Sequence, residues 1–292
     1  MNKSFTLIEI LVVIVVIGIL SSFILVGMSS ITNSATIAKG KAFANSLRDS
    51  LLMSLVSEWK LNDGTGSSTI VDSWEGKTGT LVNVPVWKTG ADCVGGSCLY
   101  FDGTGNKYVS TAFSFSAPNY ITVEFWIKGS INPSNWQWIL DGGQSIPNGS
   151  FSIVRPVNAN DIQYRYSNGT TCTLNAGYAN FFNGYDNKWM HVVIAADYVN
   201  NLVKYYRNGI LLSPSASMTA PIKPITSFMN FAIYATADYP FIGYFDETRI
   251  YSQLVSTFDI QQKYYSGLNR MLVKRNISNN EYAENILNLT TR

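Results

Sequence analysis

Histidine is nearly missing from these 292 residues: there is one, His191, and there are only three cysteines. A zinc site built from His and Cys would need all four of them, so none is expected. Charge is scarce as well. Only 14% of the residues are charged, and 21 Lys and Arg against 19 Asp and Glu leave a net charge of +2. No long basic run occurs, so nucleic acid is not an expected direct partner. What the chain does have is apolar and aromatic: 46% hydrophobic and 13% aromatic residues, with 17 Tyr and 22 Gly. That composition suits a well-filled core of many strands joined by turns. The length allows one large domain with an anchor, or two small domains.

The first residues read Met1-Asn2-Lys3-Ser4-Phe5-Thr6-Leu7-Ile8-Glu9, and Ile10 to Met28 follow without a charge. At a rise of about 1.5 Å per residue, the stretch 5–28 is long enough to cross a bilayer core with some tilt. A secretory signal peptide has a longer basic region, a shorter apolar core and a small-residue cleavage site. Here the core runs on into Ile31, Ala35, Ala38, Ala42, Leu47, Leu51 and Leu55. Apart from the step between Ala42 and Leu47, spacings of three and four put these on one helical stripe. One long helix is therefore expected from near Phe5 to near Ser57, transmembrane in its first half and packed on a domain in its second. Glu9 stands out, because an acid at the start of a lipid-spanning helix is costly and needs a partner.

The stretch Phe5-Thr6-Leu7-Ile8-Glu9 resembles the N-terminal motif of type IV pilins and type II secretion pseudopilins. The resemblance implies cleavage by a prepilin peptidase between Ser4 and Phe5, and N-methylation of Phe5. It implies that Glu9 pairs with the N-terminal amine of a neighbouring subunit during assembly. An ammonium is the natural partner for a carboxylate in a low-dielectric bundle. The family usually has Gly before the cut, where this chain has Ser4. The alternative is a plain signal anchor.

From Trp59 onward apolar residues alternate, and turn signals recur: Asn62-Asp63-Gly64, Asp102-Gly103, Asp141-Gly142-Gly143, Asn168-Gly169 and Asn208-Gly209. This pattern predicts an all-β sandwich, with strands over Ile121–Lys128, Trp189–Asp197, Leu202–Arg207 and Phe241–Tyr251. Several phrases fall in order: Glu58-Trp59-Lys60-Leu61-Asn62-Asp63-Gly64, Cys98-Leu99-Tyr100-Phe101-Asp102-Gly103, Ile121 to Lys128, Trp189-Met190-His191-Val192-Val193, and Gly243 to Tyr251. The ordered set resembles laminin-G-like domains of the concanavalin A-like lectin/glucanase type. That implies two antiparallel sheets in a jelly-roll-like sandwich, with ligand recognition by loops or the concave face. The tail from Asn269 carries the capping-box spacing Ser278-Asn279-Asn280-Glu281. It predicts a short helix over 279–288 with Tyr282, Ile286 and Leu289 on its apolar side, docked on the sandwich or on another subunit.

The expected organisation is a leader at 1–4, a membrane and assembly helix at 5–28, its extension at 29–57, the sandwich at 58–268 and a helical tail at 269–292. Cys93 and Cys98 flank Val94-Gly95-Gly96-Ser97. The glycines let this loop fold back, and a domain outside the membrane keeps disulfides, so a Cys93–Cys98 disulfide is expected; the alternative is two buried thiols. Cys172 is expected to be free. His191 matches the family's structural Trp-His phrase and is expected to make a core or rim hydrogen bond.

Glycan hydrolysis needs two carboxylates placed across the bond. The glucanases of this fold carry them as Glu-x-Asp-x-x-Glu, which is absent. Glu124 stands alone, and Asp246 and Glu247 are adjacent and so are expected on opposite faces. The chain is therefore not expected to be an enzyme. The resemblance implies a structural calcium at Asp246 with help from Asp63 or Asp72, the alternative being that Asp246 caps a turn amide or pairs with Arg249. For a sugar, the aromatic candidates are Trp136, Trp138, Tyr164, Tyr166, Tyr178 and Tyr185, against the alternative that one face of each strand is core. The expected function is a minor pilin or pseudopilin at the membrane or cell surface. It would be partnered by other subunits and by prepilin peptidase, and would display a domain for a carbohydrate or surface protein. The alternatives are a structural subunit or tip of a pilus, secretion or DNA-uptake pseudopilus with no ligand, and a membrane-anchored glycan-active enzyme.

Overall fold

The structure is a computed structural model that describes residues 11–17, 54–130, 133–143, 151–171, 174–234 and 238–290. Ser4, Phe5, Glu9 and Cys172 lie outside the described residues, as does most of the N-terminal apolar run. The chain divides into two units, Met1–Met53 and Ser54–Arg292. Of the first, residues 11–17 are helical (α1) and their side chains are exposed. Among the described residues no helix is long and apolar enough to cross a membrane.

Among the described residues the second unit holds eighteen strands. In chain order they are β1 (Leu55–Trp59), β2 (Thr69–Val71), β3 (Thr78–Val82), β4 (Val86–Thr89), β5 (Ser97–Asp102) and β6 (Tyr108–Thr111). Next are β7 (Phe115–Ser116), β8 (Tyr120–Lys128), β9 (Gln137–Asp141), β10 (Phe151–Arg155), β11 (Ile162–Tyr166) and β12 (Leu174–Tyr178). The last are β13 (Met190–Asp197), β14 (Leu202–Arg207), β15 (Ile210–Ser217), β16 (Ile225–Thr226), β17 (Met229–Phe231) and β18 (Ile242–Tyr251). Two helices close the unit, α2 (Thr257–Val273) and α3 (Asn279–Thr290).

Two antiparallel sheets face each other. The first runs β15-β14-β13-β8-β18-β5-β4, with β1 also pairing with β18. The second runs β12-β11-β10-β9-β17-β6-β3-β2. Between them lies one apolar core, including Trp59, Phe101, Val123, Phe125, Phe151, Ile153, Phe231 and Phe245. Hairpin-linked strands such as β13-β14-β15 and β9-β10-β11-β12 lie side by side, while the neighbours β13-β8-β18-β5 and β9-β17-β6-β3 are brought together by crossovers, as a jelly-roll-like arrangement requires. The four strands read from the sequence correspond to β8, β13, β14 and β18.

Strand composition explains which faces are covered. Along β11 burial alternates, so its outer face meets solvent. Along β13 every residue is buried. The same holds for the interior of β8. These two central strands are covered twice: by the opposing sheet inside and by α2 outside.

The helix α2 starts at Ser256, whose hydroxyl accepts from the Asp259 amide at 3.2 Å. It buries Ile260, Tyr264, Gly267, Leu268 and Met271, spaced as one helical stripe. Tyr264 stacks on Trp126 of β8 at 5.6 Å, and α3 adds Tyr282, Ile286 and Leu289 to the same cluster. The tail helix therefore docks on the sandwich unit. Three expectations are corrected. Residues Leu55–Ser57, expected as the last turn of the long helix, belong to β1. The boundary at 268 falls inside α2. The C-terminal part has two helices rather than one.

Candidate functional site

The strand register brings a set of polar and aromatic side chains to one end of the first sheet. Met190 pairs with Ile127 and Val192 pairs with Arg207. This places Lys128 at the end of β8, Trp189 just before β13 and Arg207 at the end of β14, on three adjacent strands. The loop 183–188 rises beside them, and α3 crosses opposite. Together they enclose a groove of about 510 Å³.

Two walls differ in chemistry. The sandwich wall presents Trp189, Lys128, Lys188, Arg207, Asn183 and Asn187, with Tyr185 behind. The helix wall presents Glu281, Glu284, Asn285 and Asn288, which share one face of α3 at spacings of three and four. The apolar face of the same helix, Tyr282, Ile286 and Leu289, is packed down.

Internal bonds fix several of these groups. The Trp189 ring nitrogen donates to the Asp92 carbonyl at 3.1 Å, which holds the indole at the edge of the groove. Asn285 accepts from the Tyr264 hydroxyl at 2.9 Å. Asn276 donates to the Cys93 carbonyl at 2.7 Å. The loop is tied down by Arg207, which donates to the Phe181 carbonyl at 2.5 Å and lies over the Tyr185 ring at 4.9 Å. Beneath it, buried Arg155 lies over the Phe182 ring at 4.2 Å. Such prior ordering lowers the entropy lost when a ligand binds.

Beyond the groove, the outer face of the sheet continues as an aromatic strip. Lys128 Nζ sits 4.2 Å from the Tyr244 ring centre and 5.8 Å from that of Trp189. Tyr244 in turn meets Tyr100 at 4.8 Å. Burial lowers the Lys128 ammonium pKa below the usual lysine range, and Asp92 opposes this in part. Among the described residues none of Lys128, Lys188 and Arg207 makes an ion pair.

Under α2 lies a buried charge network. Glu124 on β8, 1% exposed, meets His191 Nε2 at 3.1 Å, Arg249 at 3.2 Å and Lys263 at 3.8 Å. Tyr251 donates to its other oxygen at 3.3 Å. Burial alone would raise the Glu124 carboxyl pKa, but Lys263, Arg249 and His191 hold it well below the usual range. His191 thus makes the core hydrogen bond expected of it. Glu124 is sealed from solvent.

Asp246 and Glu247 correct another expectation. They do not point to opposite faces. The register of β18 shifts between Asp246 and Arg249, and Glu247 takes a φ of 45°. This bulge turns two consecutive side chains to one side, so both carboxyls lie beside Gly95. Asp246 is 0% exposed and accepts from the Gly95 amide at 2.7 Å. Burial, then the Glu247 charge, pushes its carboxyl well above the usual range. Arg270 and Arg249 hold Glu247 at 2.7 and 3.4 Å.

The calcium expectation finds no fitting donor set. Asp63 is exposed. Asp72 accepts from the amides of Glu58, Trp74 and Glu75 at a turn. Among the described residues no group of three His, Cys, Asp or Glu side chains converges as a metal site. Asp246 instead serves a turn amide. That turn is closed by the expected Cys93–Cys98 disulfide, which is present.

Of the predicted aromatic candidates, Tyr164 and Tyr166 face inward. They are 0% and 2% exposed and belong to the core, and Tyr164 shares a 2.8 Å hydrogen bond with Tyr198. Alternation along β11 put them on one face, but the wrong one for a ligand. Trp138 is buried on the outer side of the second sheet, stacked on Tyr239 at 5.2 Å. Trp136 is half-buried beside it, with Arg165 over its ring at 4.7 Å. Tyr178 is half-buried and bonds the Ser213 carbonyl. Only Tyr185 reaches the groove. Trp189, Lys128, Lys188 and Arg207 were missed as site residues. The signal available for them was Trp189 beside Lys188 at the mouth of a strand.

A family profile described as the Concanavalin A-like lectin/glucanases superfamily matches residues 102–261. A second, the Prokaryotic N-terminal methylation motif, matches residues 1–25. A search of curated proteins gave no match. Among solved structures, the chain is similar to the botulinum neurotoxin serotype D ligand binding domain in complex with N-acetylneuraminic acid, at 16% identity and a TM-score of 0.60, covering 76% of this chain and 53% of that one. The receptor binding domain of the botulinum neurotoxin C/D mosaic serotype matches at 19% identity and 0.59, covering 74% and 52%. The serotype G binding domain matches at 14% and 0.58, covering 73% and 51%. The chain thus spans about half the length of these domains, and at such identities the likeness is one of fold.

Proposed function

Because the chain belongs to the concanavalin A-like lectin/glucanase superfamily and opens with a prokaryotic methylation motif, we propose that it is a filament subunit of the type IV pilin class that displays a sugar-binding sandwich. The N-terminal helix assembles with other subunits after prepilin peptidase has cut before Phe5. The sandwich stands outside the cytoplasmic membrane and meets the ligand.

The observation that carries the binding half is the groove beside Trp189. A half-exposed indole offers a flat face for a sugar ring, and surrounding amides offer paired donors and acceptors to hydroxyls. N-acetylneuraminic acid in one of the similar toxin domains supports a sugar as the ligand class. The role is binding rather than hydrolysis: Glu124, Asp246 and Glu247 are buried beneath α2 and the disulfide loop, where no glycosidic bond reaches them.

A glycan array probed with the full-length protein in detergent tests this reading. Binding that disappears in Trp189→Ala supports it. Silence across the array, with the protein still found in filaments, would favour the purely structural subunit.

A further inference from the structure

We infer that the groove takes a carbohydrate bearing carboxylate groups, with the acid seated against Lys128, Lys188 and Arg207 and the sugar ring on Trp189. This rests on the reading of the groove as a sugar site and names the class of sugar.

The sandwich wall gathers three cations that make no direct ion pair among the described residues, the acids Glu281 and Glu284 standing on the opposite wall. Lys128 and Arg207 sit at the ends of nearby strands, and Lys188 precedes Trp189 between them. Like charges gathered at one strand end repel, and none of the three has a carboxylate in contact among the described residues. Lys128 is half-buried, which makes its lone charge costlier still; Asp92 is the acid that acts on it. An incoming anion would offset both costs.

Arg207 is also pre-aimed. Its contacts with the Phe181 carbonyl and the Tyr185 ring fix the guanidinium. A fixed fork suits a planar carboxylate better than a mobile ammonium does.

The opposite wall sets direction. Glu281 and Glu284 on α3 line the same groove. They repel an acid from that side and accept bonds from hydroxyls. A ligand with its carboxylate toward the sheet and its hydroxyls toward α3 satisfies both walls. A neutral sugar leaves the cations unmatched, and a polyanion charged all round is repelled by the helix.

The test compares galacturonic acid, which carries one carboxylate, with its methyl ester, together with sialyllactose and lactose, by calorimetry on the full-length protein in detergent. The acid should bind tighter than its ester by about tenfold or more. Raising salt should narrow that gap. Lys128→Gln with Lys188→Gln should weaken acid binding more than ester binding and so shrink the gap between the two. Glu284→Gln should tighten acid binding, a gain that a misfolded variant does not show. Equal binding of acid and ester, both lost in Trp189→Ala, would overturn the acidic-sugar inference and leave the groove as a neutral sugar site. Binding indifferent to Trp189→Ala, or no binding by any of the four sugars, would sink both.

Discussion

Arg249 on β18 stands directly opposite Glu124 on β8 in the strand register, and its Nη1 donates to the Glu124 carboxylate at 3.2 Å. The same guanidinium reaches Glu58 of β1 through Nε at 2.7 Å. One side chain therefore ties three strands together beneath α2. A charged network in a covered site is not in itself strongly stabilising, but removing one member leaves the others desolvated and unmatched.

Glu124→Ala should destabilise the sandwich by about 3–5 kcal/mol, because Arg249, Lys263 and His191 would remain buried without it. Glu75 gives the contrast: its pair with Lys77 at 2.6 Å is exposed, so Glu75→Ala should cost less than about 1 kcal/mol. Urea midpoints of the two variants check this. Similar midpoints would refute the network's importance.

The acid limb of stability should come from Glu124. Its folded carboxyl lies below the unfolded value of about 4.3, burial being outweighed by Lys263, Arg249 and His191. The stabilisation is complete above that value and is lost as pH falls beneath it. Asp246 works in the opposite sense. Its raised pKa, from burial and Glu247, means stability is forfeited as pH rises above the ordinary carboxylate range. Asp246→Asn should therefore be at least as stable as the parent at pH 7 and flatten the fall between pH 5 and 7. Melting temperatures across that range decide it.

Gly267 lets α2 lie flat on Trp126: a Cβ there would sit 2.2 Å from the indole Cζ2. Gly267→Ala should lift the helix and cost about 1–3 kcal/mol despite the better helix propensity of alanine. Tryptophan fluorescence and thermal melting give the readout. A stabilised Gly267→Ala would mean that α2 is not seated as described.

Reducing Cys93–Cys98 should release the turn whose Gly95 amide binds Asp246. Loop-closure entropy for so short a ring gives about 2 kcal/mol. Intact mass before and after reduction and alkylation should reveal the bond, and the melting temperature should drop by several degrees.

Co-expression with a prepilin peptidase should yield a mature protein beginning at methylated Phe5, seen by mass measurement of the N-terminus. Glu9→Ala should still be cut yet fail to enter filaments, since the carboxylate's partner is the amine of a neighbouring subunit. A chain that keeps Met1 to Ser4 would contradict the assembly half of the proposal.

Much of the sandwich was legible because β-structure writes itself in alternation and turns. The edges of β8, β13, β14 and β18 follow from such patterns, and Asn208-Gly209 forms the hairpin turn it announces, with φ of 53° and 78°. The helix α2 was hidden. Ser256, Asp259, Ile260, Tyr264, Leu268 and Met271 carry a cap and a helical stripe, but the sandwich was expected to run to 268 and took in most of them. Alternation gave Tyr164 and Tyr166 a common face without saying which face was core, because period alone has no sign. The groove was illegible for a different reason. Lys128, Trp189, Arg207, Asn276 and Asn288 come from five separate segments, and only strand pairing and helix docking convene them.

The place of β1 has a mechanical consequence. The first strand after residue 54 pairs with the second half of β18, while β5 pairs with its first half on the same edge. A pull transmitted along the chain from the N-terminal unit enters the sandwich at Leu55 and passes straight into its longest strand. There Arg249 cross-braces β1 to β8. In the filament subunit proposed above, tension would thus enter the interior of the sheet rather than a peripheral hairpin.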